Sequence, residues 1–195
     1  MELIVGLDLG QVSDSSALAL IEKSQHEGQE PTFAATYLHR WKVGTPYPEI
    51  VKGVVKMFEG DTFKQPERPT LAIDATGVGR PVVDMFKAAR PLARFMPIII
   101  TGGHKASTED GVHYVPKRLL VSTVQVLLQT RRFKFAGQLP EAATLISEMQ
   151  SFQLTITEAA NDTYEGRRGA HDDLLLAVAL GLWGGSRPIT ILTVV

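Results

Sequence analysis

Three β runs open the chain, and the gaps between them are too short for parallel crossovers. Leu3–Leu9 is an apolar run closed by Gly10, Ala17–Glu22 is a second run, and Phe33–Val43 is a third. Between them lie a small polar stretch, Gln11–Ser16, and a polar turn, Ser24–Pro31, which contains Gly28. A parallel connection needs roughly a dozen residues or more, usually including a helix, so these runs are expected to form an antiparallel meander. Side chains alternate along a strand. In the third run this sets Tyr37, His39 and Trp41 on one face and Leu38 and Arg40 on the other.

The period then changes. Pro48 begins a helical pattern with Ile50, Val54, Met57 and Phe58 on one side. Thr70–Thr76 reads as β, Arg80–Arg90 as helix, Phe95–Thr101 as β, Pro116–Gln129 as helix, Phe133–Ala136 as a short strand and Pro140–Ser151 as helix. Phe152–Thr157 reads as extended, Asn161–Gly169 as a polar loop, and Asp172–Trp183 as an almost wholly apolar helix. Three strands, then alternating helices and strands, then a final helix give an α/β fold: a mixed sheet with helices on both faces. The 195 residues suit one domain over 1–195, and no repeat or linker divides them. The tail Ile189–Val195 is apolar and β-like.

Composition narrows the classes. The chain is 44% hydrophobic and 21% charged, as a soluble globular protein is. It has no cysteine, which removes disulfides and thiolate metal sites. No signal peptide is visible at Met1-Glu2, and no apolar stretch reaches the roughly 18–20 residues of a membrane span, so a cytoplasmic location is expected. The net charge is −1, so a nucleic-acid binder would have to concentrate positive charge locally. Arg131-Arg132-x-Lys134 and Arg167-Arg168 do so, although composition alone favours solvated surface charge for both. Trp41 and Trp183 are expected to serve the core, and sparse aromatics argue against a single-strand stacking platform.

Acids at the ends of apolar elements carry the functional argument. Asp8 sits inside Ile4-Val5-Gly6-Leu7-Asp8-Leu9-Gly10, where a charge is costly unless paired, hydrogen-bonded or bound to metal. Asp74 follows Leu71-Ala72-Ile73, with glycines after it, and ligands collect beyond the strand ends of such sheets. Asp172 and Asp173 precede Leu174-Leu175-Leu176. Each has a plain explanation: a solvated strand end for Asp8, a turn hydrogen bond to Thr76–Gly79 for Asp74, an N-cap for Asp172. Capping cannot account for two adjacent acids, however, and three separate elements end in the same way. Clustered carboxylates repel unless a cation neutralises them. Mg²⁺ and Mn²⁺ prefer oxygen ligands, and a pair of such ions can drive phosphodiester cleavage. No His-x-x-x-His pair offers a zinc site instead.

These residues resemble the ribonuclease-H-like fold, and within it the nuclease domain of phage large terminases, the DNA-packaging motors. The resemblance rests on Gly6-Leu7-Asp8-Leu9-Gly10 with Asp14-Ser15-Ser16-Ala17, on Ile73-Asp74-Ala75-Thr76-Gly77-Val78-Gly79, and on His171-Asp172-Asp173-Leu174. Pro116-Lys117-Arg118-Leu119-Leu120 with Gln125-x-Leu127-Leu128 is also similar. It spans nearly the whole chain. It implies Asp8, Asp74 and Asp172 and/or Asp173 as metal ligands and catalytic acids, with Mg²⁺ or Mn²⁺ in a two-metal site. It also implies double-stranded DNA as substrate, and as partners an ATPase domain or subunit, a portal and a small terminase. Large terminases also carry an ATPase, but this chain has no Gly-x-x-x-x-Gly-Lys-Ser/Thr loop. An isolated nuclease domain or a stand-alone relative is therefore expected.

Secondary positions are less sharply defined. Gly77-Val78-Gly79 reads as a strand-to-helix turn, with phosphate binding as the alternative. His171 either positions a water or phosphate or merely flanks the helix. His104 and Lys105 follow Gly102-Gly103 on a loop that either meets DNA or is simply solvated. Three other functions compete with the terminase-like nuclease. Gly6-Leu7-Asp8-Leu9-Gly10 resembles the first phosphate loop of actin-like and chaperone-type ATPases, although Asp74-Ala75-Thr76-Gly77 fits their second loop poorly. A Holliday-junction resolvase would use the same acids. A non-catalytic docking module would not need all of them.

Overall fold

The computed structural model describes residues 1–10, 14–64, 67–77, 79–89, 91–155, 163–166 and 172–187. Arg167, Arg168, His171, Val78 and the tail Ile189–Val195 lie outside them. The expected meander is present: β1 (Glu2–Asp8), β2 (Ala17–Ser24) and β3 (Thr32–Arg40) pair antiparallel in sequence. Then come α1 (Tyr47–Phe58), β4 (Thr70–Asp74), α2 (Gly79–Ala89) and β5 (Arg94–Thr101). A short hairpin follows, β6 (Ser107–Glu109) with β7 (Val112–Pro116), then α3 (Lys117–Gln129), β8 (Phe133–Phe135) and α4 (Ala142–Ser151). The last described elements are β9 (Phe152–Thr155), β10 (Thr163–Gly166) and α5 (Asp173–Gly185).

Eight strands form one sheet in the order β6-β7-β5-β4-β1-β2-β3-β8, and β9 pairs with β10 in a separate ribbon. Strands β4, β5, β7, β3 and β8 all run with β1, whereas β2 and β6 run against it. Asp8, Arg40, Asp74 and Pro116 therefore all close their strands at the same end of the sheet.

Alternation divides the core into two layers. Leu3, Val5, Leu7 and Leu71 face α1 and α2, where Ile50, Val54, Val82 and Phe86 pack. Ile4, Ala19, Phe33 and Ala72 face α5, backed by Leu120 and Val124 of α3 and Leu145 of α4. Every residue of α5 is buried, as a helix that is apolar all round must be. It lies against β1 at a separation only glycine permits. A Cβ on Gly6 would stand 1.9 Å from the Ala177 carbonyl oxygen, and one on Gly181 would stand 2.9 Å from Ile21. This close approach fixes the N-terminus of α5 beside the end of β1. Among the described residues no helix is long and apolar enough to cross a membrane.

Two segments differ from the expectation. The hairpin β6–β7 lies where no strand was expected, and Thr163–Gly166 is a strand inside the stretch Asn161–Gly169 read as a loop. Both owe their structure to pairing, with β5 for the hairpin and with β9 for β10, rather than to an apolar period of their own.

Candidate active site

The four acids gather at the shared end of the sheet. Alternation turns Asp8 to the α5 side of β1 and Asp74 to the same side of β4, and these two strands are neighbours. The Asp8 and Asp74 carboxyls hydrogen-bond each other. Asp172 and Asp173 enter from above, at the N-terminus of α5.

Burial and charge set the state of the pair. Asp8 is 6% exposed, and its carboxyl is pushed well above the usual aspartate range. Burial is the main cause, followed by repulsion from Asp74, Asp173 and Asp172. Asp74 is also raised by burial, but the hydroxyl and backbone N–H of Thr76, the bond from Asp8 and the Lys117 ammonium oppose the shift. The surroundings thus favour the protonated form of Asp8 more strongly than that of Asp74. The turn bond anticipated for Asp74 is real, with the Thr76 N–H donating to Oδ1 at 2.8 Å, and coexists with the contact to Asp8.

The adjacent acids of α5 have different partners. Asp173 has a side chain only 6% exposed and accepts hydrogen bonds from Arg40 Nε at 3.1 Å and Nη2 at 2.6 Å. The Asp172 side chain is 21% exposed and accepts a bond from Lys117 Nζ at 2.7 Å. Asp172 occupies the N-cap position yet makes no side-chain cap bond, so capping does not explain it. Among the described residues two cations, Arg40 and Lys117, are thus paired with Asp173 and Asp172, while Asp8 and Asp74 make no ion pair.

Breaking the Arg40–Asp173 pair leaves a buried carboxylate without its cation, which is more costly than replacing both partners. Arg40→Leu is expected to destabilise the protein by about 3 kcal/mol, toward the low end for buried pairs because Arg40 keeps some solvent contact. Urea unfolding checks this; a change below about 0.5 kcal/mol would mean the pair is no more than a surface bridge.

The donor set suits a hard divalent ion: only carboxylate oxygens, an excess of negative charge and partial burial. Among the described residues, no three acid or histidine side chains are yet arranged around one point. Asp8 and Asp74 act on each other, and the other two acids are engaged by Lys117 and Arg40. A bound cation would favour the ionised form of both acids of the buried pair.

Among solved structures, the large terminase nuclease from thermophilic phage G20c, in a structure with bound magnesium, matches 93% of this chain and 80% of its own. The TM-score is 0.65 at 17% identity. The nuclease domain of the large terminase subunit gp2 of bacterial virus Sf6 matches 93% of this chain and 88% of its own, with TM-score 0.64 and 12% identity. The chain has the large-terminase nuclease fold. The g2p nuclease domain of bacteriophage SPP1 with bound Mn adds a third match, with TM-score 0.58 and 10% identity over 95% of this chain and 87% of its own. No protein-family model and no curated protein matches. The match agrees with the ribonuclease-H-like α/β architecture expected from the sequence.

Within this terminase nuclease fold, those basic residues singled out from sequence that are described separate into two places. His104 and Lys105 are exposed on the loop after β5, at the acid end, where the Arg118 guanidinium donates to His104 Nδ1. Arg131, Arg132 and Lys134 stand at the opposite end. Arg132 bonds the Pro31 carbonyl and pairs with Glu30, and Lys134 stands beside Ala34. Six residues of β3 separate Ala34 from Arg40, about 20 Å along the strand. The structure does not bring this cluster to the acids.

Three residues of the site had escaped notice. Arg40 shares a strand face with buried Leu38, so alternation already turned it inward. Lys117 is a cation in the first turn of a helix, against the helix dipole. Glu148 is an acid on the apolar face of α4, three residues after Leu145, and is 6% exposed. Burial raises its carboxyl to about 7, opposed by a bond from the Leu175 N–H.

Proposed function

We propose that this chain is a Mg²⁺- or Mn²⁺-dependent endonuclease of double-stranded DNA, performing the cleavage of concatemeric phage DNA that accompanies packaging. The observation that carries the reading is the buried Asp8–Asp74 pair, to which, among the described residues, no ion pair is made and which two further acids, Asp172 and Asp173, repel. Such a site favours ion binding because the ion relieves repulsion that burial has intensified. The fold of three phage terminase nucleases, two of them with bound magnesium or manganese, supports it.

In this reading Asp8, Asp74 and Asp172 hold the ion or ions. Bound there, divalent metal would supply an activated water at neutral pH and stabilisation of the leaving oxygen. Asp173 is the structural member of the pair: Arg40 fixes it, and with it the start of α5. Lys117 keeps Asp172 in place and sets positive charge where a phosphate would approach. The exposed loop with His104 and Lys105, beside Arg118, would take backbone phosphates, which gives affinity without base recognition. An ATPase domain or subunit, a portal and a small terminase would supply the motor, in the cytoplasm of a phage-infected or prophage-bearing bacterium.

The test is cleavage of supercoiled plasmid with Mg²⁺, with Mn²⁺ and with chelator, run beside a linear duplex and a four-way junction. Cutting is expected with either ion, none with chelator, and linear duplex should be cut as readily as the junction. Metal-independent cutting, or none with any divalent ion, contradicts the proposal. Strict preference for the junction would assign the same site to a resolvase.

A further inference from the structure

At an ordinary helix N-terminus the N-cap side chain accepts a hydrogen bond from the backbone N–H two or three residues on. In α5 the N-cap is Asp172, a residue type well suited to that bond, and the third helical residue is Leu175. The Asp172 carbonyl does accept the first helical bond, from the Leu176 N–H at 2.8 Å. Its carboxylate makes no cap bond and instead reaches Lys117. The Leu175 N–H donates to Glu148 Oε2 at 2.8 Å, from a different helix and 27 residues away in sequence.

Glu148 is an expensive residue for its place. It is 6% exposed in the interior of α4, and among the described residues its Oε1 has no hydrogen-bond partner. A leucine there would extend the apolar row of Ala142 and Leu145. Among the described residues the one hydrogen bond of Glu148 runs to the end of α5, and this bond explains an acid at the position.

We propose that Glu148 is a positioning residue that caps α5 from outside and thereby releases the Asp172 carboxylate for the metal site. Without Glu148, the nearest acceptor for the Leu175 N–H is Asp172 itself. Its carboxylate would fold back onto the helix, and the site would lose a ligand although every acid remained in the sequence. The proposal rests on Asp172 being a metal ligand.

The experiment combines Glu148→Ala, Glu148→Gln, Asp172→Ala and the double variant Glu148→Ala/Asp172→Ala. Mn²⁺ affinity is read by calorimetry and melting temperature by circular dichroism in chelator. Glu148→Ala should weaken Mn²⁺ binding about ten-fold or more, as loss of a ligand-orienting partner does. Glu148→Gln keeps an oxygen acceptor and should stay within about three-fold of wild type. In chelator, Asp172→Ala should lower the melting temperature of Glu148→Ala, where Asp172 has become the cap, clearly more than that of the wild type, where it only pairs with Lys117. Wild-type Mn²⁺ affinity in Glu148→Ala, or an equal effect of Asp172→Ala in both backgrounds, overturns the proposal. If Glu148→Ala does not fold, a drop in melting temperature on Asp172→Ala clearly larger than that on Lys117→Met, which removes the same ion pair, marks Asp172 as the existing cap and overturns it too. Absence of Mn²⁺ binding by the wild type is a different failure: it removes the metal reading, while the melting cycle still reports which acid caps α5.

Discussion

Asp8→Asn is expected to abolish cleavage while leaving the metal-free protein at least as stable as the wild type. Asp8 lies at the end of β1, buried, bonded to Asp74 and repelled by Asp172 and Asp173. Removal of a ligand-orienting partner already costs roughly ten- to a hundred-fold in metal affinity or activity, so loss of a direct ligand should exceed about a hundred-fold in cleavage rate. Stability moves the other way. Because the folded pKa lies above the unfolded one, the native state holds the proton more tightly. The associated stability is fully present below the usual aspartate range and is lost as pH rises through the raised value. Asparagine has no proton to lose and can donate to Asp74 at every pH. Melting curves in chelator from acid to neutral pH should therefore fall less steeply for Asp8→Asn than for the wild type. Cleavage near the wild-type rate would remove Asp8 from the site; a large loss of stability at neutral pH would make it a structural residue.

Gly6→Ala carries the largest expected structural effect. The new methyl would stand 1.9 Å from the Ala177 carbonyl oxygen and 2.8 Å from the Gly181 nitrogen, both backbone atoms of α5. No rotamer can relieve that contact, so α5 must retreat from the sheet along its buried length. Overpacking of a close-packed core costs about 1–3 kcal/mol and occasionally more. With a buried helix displaced as a unit, about 3 kcal/mol or more is expected, or a melting temperature lower by roughly 10 °C in a chain of this size. Asp172 and Asp173 ride on the same helix, so metal affinity should fall with stability. A melting temperature within about 2 °C of wild type would show that β1 and α5 are not in the close contact described.

The parts legible in the sequence were those with a local signature. The meander showed in its short gaps, the central helices in their apolar period, and Asp8 and Asp74 as charges inside apolar runs. The hairpin β6–β7 hid because Ser107-Thr108-Glu109 is polar and exposed, although Asp110-Gly111, with φ of 49° and 76°, is the dipeptide a tight hairpin turn demands. Strand β10 hid for a similar reason, its polar residues being strand only by pairing with β9. Which partner each of Asp172 and Asp173 takes was not legible. It depends on Arg40, 133 residues from Asp173, and Lys117, 55 residues from Asp172, each arriving through the fold. The place of the basic cluster Arg131-Arg132-x-Lys134, at the other end of the sheet from the acids, was not legible either. Density of charge along the chain is no guide to which end of a sheet it occupies.

The claim that these acids form a metal site is tested most directly by calorimetric titration of Mn²⁺ into the wild type, Asp8→Asn and Asp74→Asn in two buffers of different ionisation heat. An ion in the wild-type site would favour the ionised form of Asp8, which burial and its acidic neighbours oppose, so binding should release protons and its apparent heat should depend on the buffer. Binding should be lost, or weakened more than about a hundred-fold, in both variants. Wild-type binding that is absent, or equal affinity and equal proton release in all three proteins, would contradict the account.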